Sequence, residues 1–200
     1  HYPLRRQRQM CIRDREKLMR HIKFIRSISL IISLFLITSC SNNSAMKPED
    51  FKNKEPRLVI EEYMTGNVKA WGVLQNRSGK VTRQFSADLN GSWDGKQLIL
   101  KEKFNWDDGE VQNREWIINK IDDHYYEGTA GDVVGKAKGF SYGPAFKFEY
   151  VLLVPVKGKE MKITFDDWIF KQDDRVAINR ATMTKFGFKV AELTVVFVKD

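Results

Sequence analysis

The stretch Leu98-Ile99-Leu100-Lys101-Glu102-Lys103-Phe104-Asn105-Trp106-Asp107-Asp108-Gly109-Glu110-Val111-Gln112-Asn113-Arg114-Glu115-Trp116-Ile117-Ile118 decides the fold. Leu98, Leu100, Phe104 and Trp106 recur at the two-residue period of a strand with one buried face. Asp107-Asp108-Gly109 then breaks the pattern as a turn. A three-residue hairpin loop there sets Trp106 opposite Glu110. Counting on in steps of two, Phe104 opposes Gln112, Glu102 opposes Arg114, Leu100 opposes Trp116 and Leu98 opposes Ile118. Glu102 and Arg114 therefore meet on an otherwise apolar face. Either charge would be very costly to bury singly, whereas a pair satisfies both.

The same grammar extends in both directions. Leu58 to Tyr63 reads either as a short helix or as a first strand. Strands are expected over 67–76, 81–93, 96–106, 110–121, 125–129, 133–142, 145–156, 160–171, 176–184 and 186–199. Turn signals separate them, among them Arg77-Ser78-Gly79-Lys80, Asp94-Gly95, Asp122-Asp123 and Lys157-Gly158-Lys159. No segment has a helical period of convincing length. Sequential strands joined by short turns imply an all-β domain, a single antiparallel up-and-down barrel of about ten strands, because closure removes both sheet edges. An open sandwich is the alternative.

A two-residue loop at Asp173-Asp174 sets Asp167 opposite Arg180. One step of slip would instead pair Trp168 with Arg180 and turn Asp166 inward. Glu102, Arg114, Asp167 and Arg180 form the candidate interior polar cluster. It would orient a ligand's head group or simply fix register inside the barrel. Trp71, Phe104, Trp116, Tyr150 and Trp168 are the candidate pocket aromatics, with ordinary core packing as the competing role. No nucleophile elbow, metal-ligand cluster or phosphate-binding glycine loop is present, so neither an enzyme, a metal nor a cofactor is expected, with carboxylate-based acid–base catalysis as the alternative.

Upstream, Ile28 to Ile37 is apolar, follows Arg20, Lys23 and Arg26, and ends in Thr38-Ser39-Cys40. A basic start, an apolar core and small residues before the cut are the parts of a secretory signal. An uncleaved anchor helix is the alternative, but the run is shorter than the ~20 residues a span needs. Residues 1–18, ahead of Met19, are read as non-native or over-extended sequence, or as a basic region starting at Met10. Residues 19–39 are the signal, 40–56 a lipidated tether, shortened if Phe51 docks onto the domain, and 57–200 the barrel.

Charge follows from that division. Of 34 Lys/Arg and 26 Asp/Glu, residues 1–39 take 9 and 2, which leaves 25 and 24 for residues 40–200. The formal +8 of the chain is thus mostly a property of its first segment. A nearly neutral domain has no electrostatic reason to seek nucleic acid. The two cysteines are Cys11 and Cys40, so the domain is held by its core without a disulfide.

The segments Gly66-Asn67-Val68-Lys69-Ala70-Trp71-Gly72, Arg77-Ser78-Gly79-Lys80-Val81, Leu100-Lys101-Glu102-Lys103-Phe104, Arg114-Glu115-Trp116, Asp132-Val133-Val134-Gly135-Lys136-Ala137, Phe165-Asp166-Asp167-Trp168 and Ile178-Asn179-Arg180-Ala181 resemble the bacterial lipoproteins of domain of unknown function 3833. Ile37-Thr38-Ser39-Cys40 resembles a lipobox, which implies lipidation at Cys40. With Ser41 following, it also implies an outer-membrane protein facing the periplasm. The group looks calycin-like, related in shape to lipocalins, which implies a membrane-anchored barrel for a small apolar or amphipathic, lipid-like ligand. A non-binding envelope scaffold with a filled core is the alternative.

Overall fold

In the computed structural model, which describes residues 45–156 and 158–200, the hairpin around Gly109 has the register expected of it. Leu98 lies opposite Ile118, Leu100 opposite Trp116, Glu102 opposite Arg114 and Phe104 opposite Gln112. Gly109 closes the loop at φ +87°, a conformation that suits glycine. Ten strands follow one another: β1 (Gly66–Asn76), β2 (Val81–Trp93), β3 (Gln97–Trp106), β4 (Val111–Lys120), β5 (Tyr125–Thr129), β6 (Ala137–Tyr142), β7 (Ala145–Val156), β8 (Lys159–Lys171), β9 (Val176–Lys185) and β10 (Phe188–Lys199). Each pairs antiparallel with the next, and β10 pairs back onto β1 to close the barrel. The domain is therefore all-β, an up-and-down closed barrel. The expectations for residues 1–18, for the signal at 19–39 and for Cys40 lie outside the described residues.

Alternation along each strand sorts side chains into inner and outer sets. On β1 the inner positions are Val68, Ala70 and Leu74, with Gly72 beneath the ring of Phe85. On β2 they include Phe85, Ala87 and Leu89. Three turns share one device. The carboxylates of Asp94, Asp122 and Asp173 each accept two backbone N–H bonds from residues two and three ahead, at 2.7–2.8 Å. These local bonds hold the turn without help from the core and depress all three carboxyl pKa values.

One barrel end is closed by a short helix, α1 (Ile60–Met64), which resolves the ambiguity at Leu58–Tyr63. Ile60, Tyr63 and Met64 are buried as an i, i+3, i+4 set. Glu61 is buried beside them, held by Lys120 Nζ at 2.8 Å and by the Tyr126 hydroxyl at 2.9 Å. Burial acts to raise the Glu61 carboxyl, but these donors outweigh it and leave the pKa below its ordinary value. Lys199 Nζ donates to the carbonyls of Glu62, Tyr63 and Thr65 at 2.7–2.9 Å, so a cation caps the orphan carbonyls of the helix C-terminus.

The packed unit begins at Met46, not at residue 57. A 3-10 helix, Pro48–Phe51, sets the Phe51 ring 6.0 Å from Trp168 and 5.5 Å from Phe170 on the outer wall. Residues 46–56 thus pack with the barrel, with Phe51 docked on its wall. β6 starts at Ala137, four residues later than its hydrophobic pattern suggests; the preceding segment is irregular, with Val133 bridged to Leu152 and Asp132 at the cavity. The β8–β9 connection holds one residue more than expected, with Gln172 N bonded to Val176 O and Lys171 opposite Ala177.

Gly91 is where α1 meets the wall. A Cβ there would lie 2.0 Å from the Met64 carbonyl oxygen. Gly91→Ala is expected to lower stability by about 2 kcal/mol through this backbone overlap. Urea denaturation measures it, and an unchanged midpoint would show that the plug is not seated on β2.

Candidate functional site

Barrel diameter grows with strand number, and about eight strands leave an interior just wide enough for side chains to fill. Ten strands leave room. The interior contains a cavity of about 480 Å³, within the range of small-ligand pockets. It runs from Ile60 and Met64 on the plug to Arg83, Trp106 and Met183 at the far end. Most of its wall is apolar. Trp116 packs against Phe148 and Tyr150 at 5.0 and 5.2 Å, and Tyr150 stacks on Phe165 at 5.0 Å.

A polar group is set into this wall. Glu102 on β3 and Arg114 on β4 face inward opposite each other, with Arg114 Nη1 at 3.8 Å from Glu102 Oε2. The tighter partner of Arg114 is Asp132, from the 130–136 segment. Arg114 Nε lies 3.2 and 3.1 Å from its two carboxylate oxygens, and Nη2 lies 2.7 Å from Oδ2. Burial acts to lower the guanidinium pKa, but the neighbouring Glu102 charge and then the Asp132 fork outweigh it and leave it raised. Across the cavity, Asp167 accepts from Tyr150 Oη at 3.0 Å and from Asn179 Nδ2.

Burial pushes the Glu102 carboxyl up to about 7, with Asp167 and Asp132 adding to the rise and Arg114 opposing it. Burial also pushes Asp167 up to about 6, although its bonds from Asn179 and Tyr150 oppose the shift. Burial and the Asp167 carboxylate hold the Tyr150 hydroxyl well above its usual range. Glu102 is the carboxylate with the least firm partner, and its side chain is 12 % exposed, toward the cavity.

Three candidates lie outside the cavity. Arg180 does not meet Asp167. The longer Asp173 loop shifts β9 by one residue, so Arg180 opposes Trp168 on the outside and Ala181 opposes Asp167. Arg180 is 65 % exposed and pairs with Glu192 at 3.2 Å. Of the aromatics, Phe104, Trp116 and Tyr150 line the cavity. Trp71 is on the outer face of β1, half-exposed, because the inner positions go to its small neighbours Ala70 and Gly72. Trp168 is also on the outer wall, and it is buried because Phe51 and Lys147 cover it.

Asp132, Asn179 and Glu61 escape a reading by alternation. Asp132 sits in a glycine-flanked segment that resembles a strand start, and Asn179 is one residue from the expected inner position. Among the described residues no group of three or more His, Cys, Asp or Glu side chains is placed to hold a metal.

A closed antiparallel barrel with an internal, mostly apolar cavity is an architecture that admits a small ligand. The chain belongs to the family described as protein of unknown function DUF3833, whose model matches residues 34–199. A comparison with curated protein sequences gave no match. Among solved structures, the S-type phycobiliprotein lyase CPES from Guillardia theta is similar at a TM-score of 0.53, with 10 % identity over 70 % of this chain and 90 % of that one. A DUF3598-family protein from Nostoc punctiforme is similar at the same TM-score, with 12 % identity over 74 % of this chain and 51 % of that one. The present chain spans about half of that second protein. These likenesses show the fold.

Because folding keeps Glu102 neutral to higher pH, the native state holds its proton longer than the unfolded chain does. Stability should then fall as pH rises from about 4.5 through about 7 and level off above. Glu102→Gln removes that slope. The variant is expected to gain about 1–3 kcal/mol over the parent at pH 8 and nothing at pH 4.5. Urea curves at the two pH values decide it, and a variant less stable at pH 8 would mean that the Arg114 contact outweighs burial.

Proposed function

We propose that this protein is a lipid-anchored envelope protein whose barrel binds one small amphipathic ligand. Attachment through Cys40 to the outer membrane, with the barrel in the periplasm, is part of the same proposal. It rests on the signal-like segment and on the family resemblance. Binding, as opposed to scaffolding with a filled core, is supported by the cavity of about 480 Å³. The similar barrel in a phycobiliprotein lyase is compatible with small-molecule handling. A catalytic role is less well supported, since Asp167 is tied by two donors and Arg114 by Asp132.

The polar recess narrows the ligand's head group. An unpaired arginine would favour a carboxylate or phosphate, but Arg114 is already forked onto Asp132 and flanked by Glu102. Arg83, at the far end, is likewise held by Asp108 at 2.7 Å and Glu110 at 2.9 Å. Glu102 and Asp167 then leave the recess with an excess of carboxylates. An anionic head would face repulsion in a low-dielectric site. An alcohol, amide or amine would be accepted by Glu102 instead. The supported ligand is an apolar chain or ring system with a neutral or cationic hydrogen-bonding head.

Displacement of Nile red from the full chain by alkyl chains of matched length separates these heads. At pH 8 the amine and alcohol should displace at concentrations about tenfold below the carboxylate. Amine affinity should rise as pH passes about 7, where Glu102 ionises. Leu193→Trp, which fills the cavity wall, should abolish displacement by all three. A carboxylate that binds best at pH 8 contradicts the head-group assignment, and no binding by any of them contradicts the cavity reading.

A further inference from the structure

The barrel end opposite α1 carries aromatic surface that folding does not explain. β9 and β10 join through the two-residue turn Phe186-Gly187, with Lys185 opposite Phe188. Both turn residues have positive φ, +52° and +81°. Turns of this kind favour Asn-Gly, since the first residue must adopt the left-handed region. A bulky aromatic residue is strained there. The ring gains little in return: Phe186 is 89 % exposed and Phe188 is 76 % exposed. Val81, Val111 and Val156, also exposed, stand at the ends of β2, β4 and β7 on the same rim.

The charge beside this tip is basic. Lys185 and Lys189 flank the two rings; Lys185 Nζ lies 5.2 Å from the Phe186 centroid, and Lys189 Nζ lies 2.8 Å from Glu192 Oε2. Lys159 and Lys162 project from the adjoining part of β8, beside Glu160. Exposed aromatics ringed by lysines are the chemistry of a polypeptide that sits at the head-group level of a bilayer. Anionic lipids add attraction for each lysine near the surface. The rim's apolar residues are spread around the mouth and do not form one patch. A fluid apolar medium covers such a set at once, whereas one protein pocket would engage the tip alone.

We propose that the Phe186–Phe188 tip docks the open end of the barrel onto the surface of an anionic lipid bilayer. The strained turn holds the two rings outward, and the lysines settle among anionic head groups. Docking brings the mouth of the cavity against a membrane on the side away from residues 51–58, which pack beside Gly143 at the plugged end. This goes beyond ligand binding and stands or falls separately from it.

Vesicle capture tests the proposal. The C-terminal strand ends at the plugged end, where Lys199 caps α1, so the full chain immobilised by a C-terminal tag presents the mouth to solution. Fluorescent vesicles of phosphatidylcholine with about 30 % phosphatidylglycerol are passed over it, and pure phosphatidylcholine vesicles serve as the comparison. The variant Phe186→Asn/Phe188→Ser carries the same N-terminal apolar stretch, so any capture by that stretch cancels. Capture of the anionic vesicles should drop about fivefold or more in the variant, and that of the parent should weaken in roughly 0.5 M salt. Because Asn suits the turn, the variant should melt no lower than the parent, which separates lost docking from lost folding. Equal capture by parent and variant, or no preference for the anionic vesicles, overturns the proposal. A variant that still exchanges Nile red leaves the binding reading intact, so the two can fail independently.

Discussion

The pairing of β1 with β10 is the constraint on which the rest depends. A ten-strand meander left open would expose two hydrogen-bonding edges and one apolar face. Closing it satisfies the edges and fixes every inner position by parity along each strand. It also fixes a circumference that side chains alone do not fill, so closure and cavity have one cause. The open cylinder then needs an end. α1 provides one, seated against Gly91, tied through Glu61 to Lys120 and Tyr126, and capped by Lys199 from the closing strand. Closure and plug are thus linked through β10.

Within that frame, the interior charges divide into those that are spoken for and one that is less so. At Arg114 the neighbouring carboxylates of Glu102 and Asp132 outweigh burial, while at Asp167 the bonds from Tyr150 and Asn179 offset it only in part. Glu102 makes the longer contact to Arg114, with Trp116 as a further donor, and burial raises its pKa to about 7. A group of this kind costs stability in an empty barrel and is the natural acceptor for a ligand. The two barrel ends differ in the same spirit. The plugged end is tied down by backbone and lysine contacts, while the open end holds a strained turn with two rings facing solvent.

Much of this was legible in the residues, for reasons that can be named. The Leu98–Ile118 register followed from an unbroken apolar alternation on both sides of a glycine turn of defined length. The order of ten strands followed from turn chemistry, because aspartates and glycines act locally. The errors arose where a single residue of loop length sets the outcome. At Asp173 the carboxylate binds the N–H groups of Arg175 and Val176, lengthening the loop, and Arg180 moves outside while Asn179 takes the place beside Asp167. Trp71 misled because hydrophobicity suggested the inside, whereas crowding by Phe85 reserved the inner positions for Ala70 and Gly72. Asp132 was hidden because its contact with Arg114 is made by an irregular segment, where no periodicity applies.

Native mass spectrometry of the protein, gently extracted from the cells that make it, decides whether the cavity is occupied. A barrel whose cavity binds a neutral or cationic amphiphile should carry a stoichiometric small-molecule adduct. The adduct should be absent from Leu193→Trp protein prepared in the same way. A parent chain that is always free of small molecules, or one that carries a fatty-acid anion retained equally by the filled variant, would contradict the account.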